Sequence, residues 1–136
     1  MTLEKVNLAQ KVVIAQLHVK DNNSPPIKVF WNKGKITVGF RSDFNQATPV
    51  NSTVLAEVPL GARFDVSIVV NEDGACTVSA NSNGRSGTTV AQLGSSWATQ
   101  TLNFHGGVYN QVDYSDDTPA EDASVCVISA LELSHE

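Results

Sequence analysis

Three features that often reveal function are missing from this sequence of 136 residues: long apolar runs, sustained helical periodicity and an excess of positive charge. No apolar stretch is long enough to span a bilayer, which argues against a membrane partner. The only candidate for an amphipathic helix is the short segment of residues 2–10. The formal net charge is −5 and there is no basic stripe, so we expect no nucleic-acid partner. A polyanionic ligand stays compatible, because the local charge of a cleft outweighs the total charge.

Cysteine is scarce, and the chain has only Cys76 and Cys126. They lack the spacing of metal ligands, and neither has a neighbouring Cys or His that would complete a zinc site. An acidic run near Asp116 and Asp117 does not match an EF-hand loop, so we expect a solvated loop there. We therefore expect no metal and no cofactor. The sequence leaves two alternatives for the cysteines: two buried thiols, or one disulfide between strands. It does not decide between them, because a disulfide depends on the distance between the two residues in space.

Composition and length favour one domain over residues 1–136. Hydrophobic residues make up 41% of the chain and charged residues 17%, which is typical of a globular domain and unlike a disordered segment. There is no repeat, linker or shift in composition that would divide the chain. No basic and then apolar leader follows Met1, so we expect either a cytoplasmic chain or one whose signal has been removed.

Alternating apolar and polar residues predict many short strands separated by turn residues. The clearest alternation runs from Arg63 to Asn71, and the hairpin signal Glu72-Asp73-Gly74 follows it. A second tight turn is expected at Asn32-Lys33-Gly34. The predicted strands cover residues 11–20, 27–31, 35–41, 54–57, 63–71, 76–80, 103–111 and 124–133, with loops at 42–52 and 81–87. This pattern predicts an all-β fold, an antiparallel β-sandwich or barrel.

Residues 11–20 form the most informative predicted strand. The stretch is rich in β-branched residues, and alternate side chains of a strand share a face. The apolar face comprises Val13, Ala15, Leu17 and Val19, and the other face comprises Ile14, Gln16, His18 and Lys20. An amide, an imidazole and an ammonium group on one side are too polar for a core. Such groups can neutralise an anion and move a proton.

A second polar face is predicted for residues 103–111. Alternation places His105, Gly107, Tyr109 and Gln111 on one side of this strand. Each residue also has a purely structural interpretation, since a single strand histidine is more often a hydrogen-bonded surface group and a single tyrosine is more often packed with its hydroxyl satisfied. Two such strands in one chain favour the functional interpretation.

Three stretches of the sequence together resemble the alginate lyases of polysaccharide lyase family 7. Residues 13–18 and the turn after them are similar to the Q-(I/V)-H strand of the family and its turn. Residues 103–111 are similar to the family strand Y-F-K-A-G-V-Y-N-Q, with Tyr109-Asn110-Gln111 the most specific part, and residues 130–135 resemble its closing strand. The resemblance implies a β-jelly roll whose concave sheet holds alginate, an anionic polysaccharide, and cleaves it by β-elimination. It also implies an extracellular or periplasmic location.

The resemblance implies roles for particular residues of this chain. Gln16, His18 and Tyr109 are the implied catalytic residues. Further residues belong to the same motif or are expected to contact the polymer in a cationic groove. These expected substrate-binding residues are Lys20, Lys28, His105, Asn110 and Gln111.

Elimination across C4 and C5 of a uronate sets the tasks of these residues. The C5 proton is weakly acidic while the adjacent carboxylate stays anionic, and Gln16 offers an amide N–H that stabilises the developing charge. His18 suits a base at neutral pH, and Tyr109 has a proton to give to the departing C4 oxygen. Tyr109 would serve as the base instead if a neighbouring cation favoured its deprotonated form, so the identity of the base stays open. None of these steps requires a Lewis acid.

This sequence departs from the family pattern in three ways. Leu17 is the middle residue of the Q-(I/V)-H motif, so rules that link this position to block preference do not transfer. Asn103, His105 and Gly106 stand where the second motif has Tyr, Lys and Ala. The earlier family strand R-(T/S)-E-(L/V)-R has no counterpart, and its arginine is not carried onto any arginine of this chain. We therefore expect the C-terminal part of the family domain, either a fragment or a reduced natural form.

Two alternatives follow from these departures. A non-catalytic carbohydrate-binding β-sandwich would keep the groove without the chemistry, and the missing arginine strand favours it. A structural or interaction sandwich would have no ligand, and convergence of His18 and Tyr109 on one groove would argue against it. A jelly roll that lacks N-terminal strands also exposes strand edges, so we expect marginal stability or self-association.

Overall fold

The computed structural model describes residues 1–21, 24–110 and 122–134. Within these ranges the chain forms β-strands and one short 3₁₀ helix, Ser95–Trp97. The strands are β1 Thr2–Lys5, β2 Lys11–Val19, β3 Ile27–Asn32, β4 Lys35–Phe40, β5 Val50–Leu55, β6 Asp65–Val70, β7 Ala75–Ser82, β8 Arg85–Gln92, β9 Leu102–Tyr109 and β10 Val125–Val127. No helix in the described ranges is long and apolar enough to cross a membrane.

The strands form two main sheets. The larger sheet has five strands in the order β5-β4-β3-β2-β9, the smaller has three in the order β6-β7-β8, and β1 pairs with β10. The described strand pairs are antiparallel, which confirms the predicted all-β antiparallel sandwich. The two strands with predicted polar faces, β2 and β9, are direct neighbours.

Residues with a left-handed backbone conformation form the turns of two hairpins. Lys33 and Gly34, with φ of 50° and 84°, join β3 to β4, and Asn83 and Gly84, with φ of 52° and 76°, join β7 to β8. Two consecutive residues with positive φ match the twist of a tight hairpin. The sequence predicts the first turn correctly. The predicted loop at 81–87 is wrong, because only the two turn residues separate the strands.

One cluster of buried apolar side chains joins the two sheets. The larger sheet supplies Val12, Ile14, Leu17, Val19, Ile27, Val29, Trp31, Ile36 and Val38, and β7 supplies Cys76, Val78 and Ala80. The indole N–H of Trp31 donates to the Val58 carbonyl at 2.8 Å, and that of Trp97 donates to the Arg41 carbonyl at 3.0 Å. These bonds avoid the cost of about 1–3 kcal/mol that an unpaired buried donor carries.

An irregularity in β2 changes the predicted faces of that strand. Val13 of β2 pairs with Phe30 of β3, and Ala15 pairs with Val29, so Ile14 is one extra residue between the two pairs. A bulge of this kind moves the side chains before it to the opposite face. Ile14 therefore joins the core, whereas Val13 lies on the face of Gln16. The predicted faces of these two apolar residues are wrong, and those of the later residues of the strand are confirmed.

Three strands lie where the sequence pattern is weak. The helical candidate at residues 2–10 is wrong, because it contains β1, whose Leu3 packs into the core. β5 begins at Val50, inside the predicted loop at 42–52, and its first residues are exposed. β8 is absent from the predicted strands, because its alternation is largely among Ser, Gly and Thr and carries little apolar signal.

The predicted closing strand is shorter in the structure. β10 covers only three residues and pairs with β1. Leu131 and Leu133 are 80% and 64% exposed, so the common apolar face predicted for them is wrong. An apolar side chain stabilises a strand only where a neighbouring element covers it.

Both cysteines are free. Cys76 is buried on the core side of β7, and burial raises the pKa of its thiol to about 11. Cys126 in β10 is half-buried. Of the two alternatives left open by the sequence, the structure shows free thiols, one of which is fully buried.

Candidate active site

The polar side chains of β2 and β9 meet on the side of the larger sheet that points away from the core. Gln16 lies opposite His105, and His18 lies opposite Asn103. Directly opposite residues of an antiparallel pair project to the same side with Cβ atoms about 4.5–5.5 Å apart. We call this side of the sheet the open face. Its polar and aromatic groups are Gln16, His18, Lys28, Phe30, Asn103, His105 and Tyr109.

Two histidine rings are stacked within this patch. The ring centroids of His18 and His105 are 4.6 Å apart, and the ring planes differ by 9°. Asn103 Nδ2 lies 3.1 Å from His105 Nε2. His18 is half-buried whereas His105 is exposed, so a ligand on the open face reaches His105 more readily.

Tyr109 lies at the end of β9 and shares a cavity with Gln16 and His105. The cavity has a volume of about 260 Å³ and is open to solvent. Gly107, which also lines it, has a φ of 136° that L side chains rarely adopt. Tyr109 is 54% exposed. The structure thus places Gln16, His105 and Tyr109 around one cavity, with His18 stacked on His105.

Lys28 adds a positive charge beside this cavity. It lies opposite Gln16 on β3, and its pKa is lowered by burial first and then by repulsion from Arg41 and Lys11. Lys11 is itself held with Nζ 4.6 Å from the ring centroid of Phe30. A lowered ammonium pKa means that the folded chain disfavours this charge. An anion on the open face would offset that penalty, so this part of the sheet is suited to an anionic ligand.

Arg41 is held by the loop that follows β4 and by the segment before β3. Its Nε, Nη1 and Nη2 donate to the carbonyls of Gln46, Pro25 and Ala47 at 3.2, 3.3 and 3.4 Å. These bonds orient the guanidinium toward the protein backbone. Arg41 therefore acts on the open face through its charge.

Lys20 and Asn110, two further predicted binding residues, form hydrogen bonds with neighbouring segments of the chain. Lys20 is exposed just after β2, and its backbone N–H donates to the Thr101 carbonyl at 3.0 Å. Asn110 Oδ1 accepts a 2.6 Å hydrogen bond from Ser124 Oγ, which connects the end of β9 to the segment before β10. Asn110 thus has a structural contact, and the binding roles of these residues stay predictions. Gln111 lies outside the described residues.

Asn103 is the residue of this patch that the sequence reasoning missed. The sequence treats it only as a departure from the family motif. Alternation along the strand predicts that Asn103 lies on the same side as His105, and this is the signal in the sequence that identifies it. Its contact with the imidazole depends on side-chain geometry that a sequence does not show.

The fold and the open face together define a class of protein. Within the described ranges, no group of three or more His, Cys, Asp or Glu side chains is arranged to hold a metal ion. The polar groups of the open face are an amide pair, two imidazoles, an ammonium and a phenol. The class is an antiparallel β-sandwich with an open polar sheet that suits an anionic ligand.

Comparison with known proteins places the chain within a family. A family model described as alginate lyase matches residues 1–135, so the chain belongs to the alginate lyase family. A crystal structure of an alginate lyase from Pseudomonas aeruginosa matches with a TM-score of 0.76 and 25% identity, over 90% of this chain and 56% of that chain. The comparison with curated proteins gave no match. The predicted family and jelly-roll class are confirmed, and this chain spans about 56% of the length of the structure that it matches.

Proposed function

We propose that the open face binds a 1,4-linked uronate polysaccharide of the alginate type and cleaves it by β-elimination. The observation that carries the proposal is the register of β2 and β9, which sets Gln16, His105 and Tyr109 around one cavity, with His18 stacked on His105. Membership of the alginate lyase family supports the substrate class and the reaction. A polymeric substrate also goes with an extracellular or periplasmic location, which we propose with it.

Neutralising the uronate carboxylate is the first task of the site. Gln16 offers an amide N–H, and Lys28 on the neighbouring strand offers an ammonium group. Donors and positive charge stabilise the negative charge that develops when C5 loses its proton. The lowered pKa of Lys28 supports this role, because a bound carboxylate offsets the effect of burial and of the neighbouring cations.

His18 and Tyr109 supply the two proton transfers. One group takes the proton from C5, and the electron pair of that C–H bond forms the C4–C5 double bond. The C4–O bond then breaks with its electrons on the departing oxygen, which receives a proton from the other group. An imidazole suits the base near neutral pH, and a phenol suits the acid. Mannuronate and guluronate present C5 differently, so the base for one sugar need not be the base for the other.

A non-catalytic carbohydrate-binding sandwich is the second candidate. Arg41 donates to three backbone carbonyls. The described site therefore offers Gln16 and Lys28, without a guanidinium directed at the uronate carboxylate. This favours a site that binds the polymer and leaves its bonds intact.

The test follows the ultraviolet absorbance of the unsaturated uronate formed when the purified chain is mixed with alginate. We expect a rise whose rate falls about 10²–10⁴-fold in Tyr109→Phe, because a positioned proton donor or acceptor contributes an effect of this size. His18→Ala is expected to abolish the reaction as well, with circular dichroism unchanged. Thr88→Val, on the outer side of β8, removes one exposed hydroxyl outside the open face and is expected to keep the wild-type rate.

The outcomes separate the two candidates. If the wild-type chain binds alginate and no absorbance appears, the carbohydrate-binding sandwich replaces the lyase. If Tyr109→Phe retains the wild-type rate, Tyr109 has no part in the mechanism.

A further inference from the structure

We propose that Ser124 is a positioning residue that holds the end of β9 and thereby keeps Tyr109 at the cavity of the open face. The proposal rests on the proposed function, because it concerns the placement of a group that transfers a proton there. Its basis is one hydroxyl with two partners. Ser124 Oγ donates to Asn110 Oδ1 at 2.6 Å and accepts the backbone N–H of Asn7 at 3.0 Å. Ser124 thus joins the residue after Tyr109 to the segment before β2.

The end of β9 departs from regular pairing just before Tyr109. Ala15 pairs with Gly106 and the next pair is Val13 with Tyr109, so two residues of β9 lie opposite one residue of β2. One of the two is Gly107, with a φ of 136° that glycine adopts readily and other residues rarely do. Tyr109 is also 54% exposed, so packing holds its ring only in part. The direction of this side chain therefore depends on what holds the backbone next to it.

Asn7 gives the connection a fixed base. Its side chain is buried, and its Oδ1 accepts the backbone N–H of Lys11, the first residue of β2, at 3.1 Å. The Asn7 carbonyl accepts the N–H of Gln10 at 2.9 Å, and the Gln10 carbonyl accepts that of Lys33 at 2.8 Å. Asn110 is thus connected through Ser124 and Asn7 to the start of β2 and to the turn between β3 and β4.

A second hydrogen bond joins the same two segments of the chain. The backbone N–H of Leu8 donates to Asp122 Oδ1 at 2.6 Å, next to Asn7 on one segment and two residues before Ser124 on the other. Ser124 also directly precedes β10, which pairs with β1. The position of the Ser124 hydroxyl is therefore set by contacts other than the one to Asn110, as a positioning role requires.

The hydrogen bond to Asn110 acts on Tyr109 through the backbone. Because Asn110 directly follows Tyr109, a fixed Asn110 side chain restricts the dihedral angles that set the direction of the Tyr109 side chain. Without the Ser124 hydroxyl, Tyr109 keeps its phenol but moves more widely relative to Gln16 and His105, which line the same cavity. A misplacement of about 1 Å in a reacting group lowers a rate by up to about 10²-fold.

Fluorine nuclear magnetic resonance of Tyr109 tests the proposal without substrate. The chain has two tyrosines, Tyr109 and Tyr114, so 3-fluorotyrosine incorporated into Tyr114→Phe reports on Tyr109 alone. We expect one narrow signal at a chemical shift that differs from that of the urea-unfolded protein. Adding Ser124→Ala should broaden this signal or move it toward the unfolded value, while circular dichroism stays unchanged.

Ser124→Thr and Ser79→Ala are the matched variants. Threonine keeps the hydroxyl, so Ser124→Thr should retain the narrow signal. Ser79→Ala removes a serine hydroxyl that contacts another side chain, that of Thr88 at 3.2 Å, on the smaller sheet, and should leave the Tyr109 signal in place. An unmoved signal in Ser124→Ala would overturn the proposal, as would the same displacement in Ser79→Ala or Ser124→Thr.

Kinetics separate failure of this proposal from failure of the proposed function. If the chain is a lyase, Ser124→Ala should lower kcat about 10–100-fold and leave KM within about twofold of the wild type, because the contacts to the polymer are kept. A raised KM with the wild-type kcat would assign Ser124 to binding and contradict the positioning role. If the wild-type chain forms no unsaturated uronate, the proposed function fails, and the fluorine signal alone confirms or overturns the role of Ser124.

Discussion

The open face of the larger sheet and the outer face of the smaller sheet are built from the same kind of antiparallel strands but differ in chemistry. The open face has amide, imidazole, ammonium and phenol groups in register across β2, β3 and β9. The outer face of β6–β8 has mainly hydroxyls and exposed valines: Ser67, Val69, Thr77, Ser79, Thr88 and Val90. Two of its hydroxyls, on Ser79 and Thr88, are 3.2 Å apart and satisfy each other.

The inner faces of the two sheets are alike, and this is what makes the outer difference informative. Both bury aliphatic side chains in one shared cluster, so stability accounts for the inward positions of both sheets. The outward positions are free of that requirement. Imidazole, ammonium and phenol groups gather at the outward positions of the larger sheet, whereas Asp65 is the titratable residue among the described outward positions of β6. This contrast supports the proposal that the open face binds the ligand.

Gln16→Leu should give the largest contrast between the two faces. It removes the amide donor while the strand keeps a side chain of similar size, and the rate of uronate elimination should fall about 10²–10³-fold. Ser79→Ala on the outer face of β7 is the control and should leave the rate unchanged. The initial rate of ultraviolet absorbance increase checks both variants, and a full rate in Gln16→Leu would remove the amide from the mechanism.

Gly87→Ala tests the contact between the sheets. A Cβ at Gly87 would collide with the carbonyl oxygen of Val54, which is backbone of β5 and cannot rotate away. We expect a loss of about 3 kcal/mol in the free energy of unfolding, since overpacking of this kind forces backbone shifts. Denaturant unfolding measures the change.

Gly106→Ala is the matched control for that substitution. Gly106 is also a strand glycine, and an added Cβ there meets nothing within 4 Å. Its free energy of unfolding should stay within about 0.5 kcal/mol of the wild type. Equal losses in the two variants would show that the approach of β8 to β5 is not what makes Gly87 necessary.

Lys28→Gln should weaken polymer binding and slightly stabilise the free protein. Removing the ammonium group should reduce affinity for alginate about fivefold at low salt, with less effect at high salt. The free energy of unfolding should rise by less than about 1 kcal/mol, because the lowered pKa shows that folding disfavours this charge and solvent screens part of the effect. Lys5→Gln on β1 makes the same change off the open face and should leave affinity unchanged.

The contribution of Lys28 to the pH dependence of the unfolding free energy gives a further check on Lys28→Gln. Between the lowered pKa of Lys28 and the ordinary lysine value of 10.5, the unfolded chain holds a proton that the folded chain has released. Stability from this group therefore rises with pH in that window. Unfolding free energies measured across the window should show a contribution of this sign in the wild type that is missing from Lys28→Gln.

Cys76 should show an effect of opposite sign. Burial raises the pKa of its thiol from 9.0 to about 11, so the folded chain retains a proton that the unfolded chain loses. The stabilisation is complete below pH 9 and is lost as the pH rises toward about 11. Cys76→Ala in the Lys28→Gln background should remove this decline in unfolding free energy, and a decline that persists would assign it to another group.

Much of the larger sheet could be predicted from sequence because its pattern is strong. β-Branched alternation identified β2. The motif resemblance predicted one site for Gln16, His18 and Tyr109, and the structure places Gln16 and Tyr109 around one cavity. The bulge that exchanges Val13 and Ile14 could not be predicted, because it depends on how β2 pairs with β3. The register of two strands is a property of the folded sheet, so alternation within one strand does not reveal it.

The smaller sheet and the details of the site were less predictable for related reasons. β8 carries Ser, Gly and Thr at positions where an apolar signal would identify a strand, and Gly87 is required by the approach of β5. The contact of Asn103 with His105 joins side chains two residues apart on one strand. Their common face follows from alternation, whereas the hydrogen bond depends on rotamers.

Amide chemical-shift mapping tests most directly the claim that the open face holds the polymer. A short saturated alginate oligosaccharide is titrated into ¹⁵N-labelled Tyr109→Phe, in which we expect slow turnover to preserve the ligand. We predict shifts concentrated in β2, β3 and β9, with β6–β8 unchanged. Shifts centred on β6–β8, or no saturable shifts at all, would contradict the account.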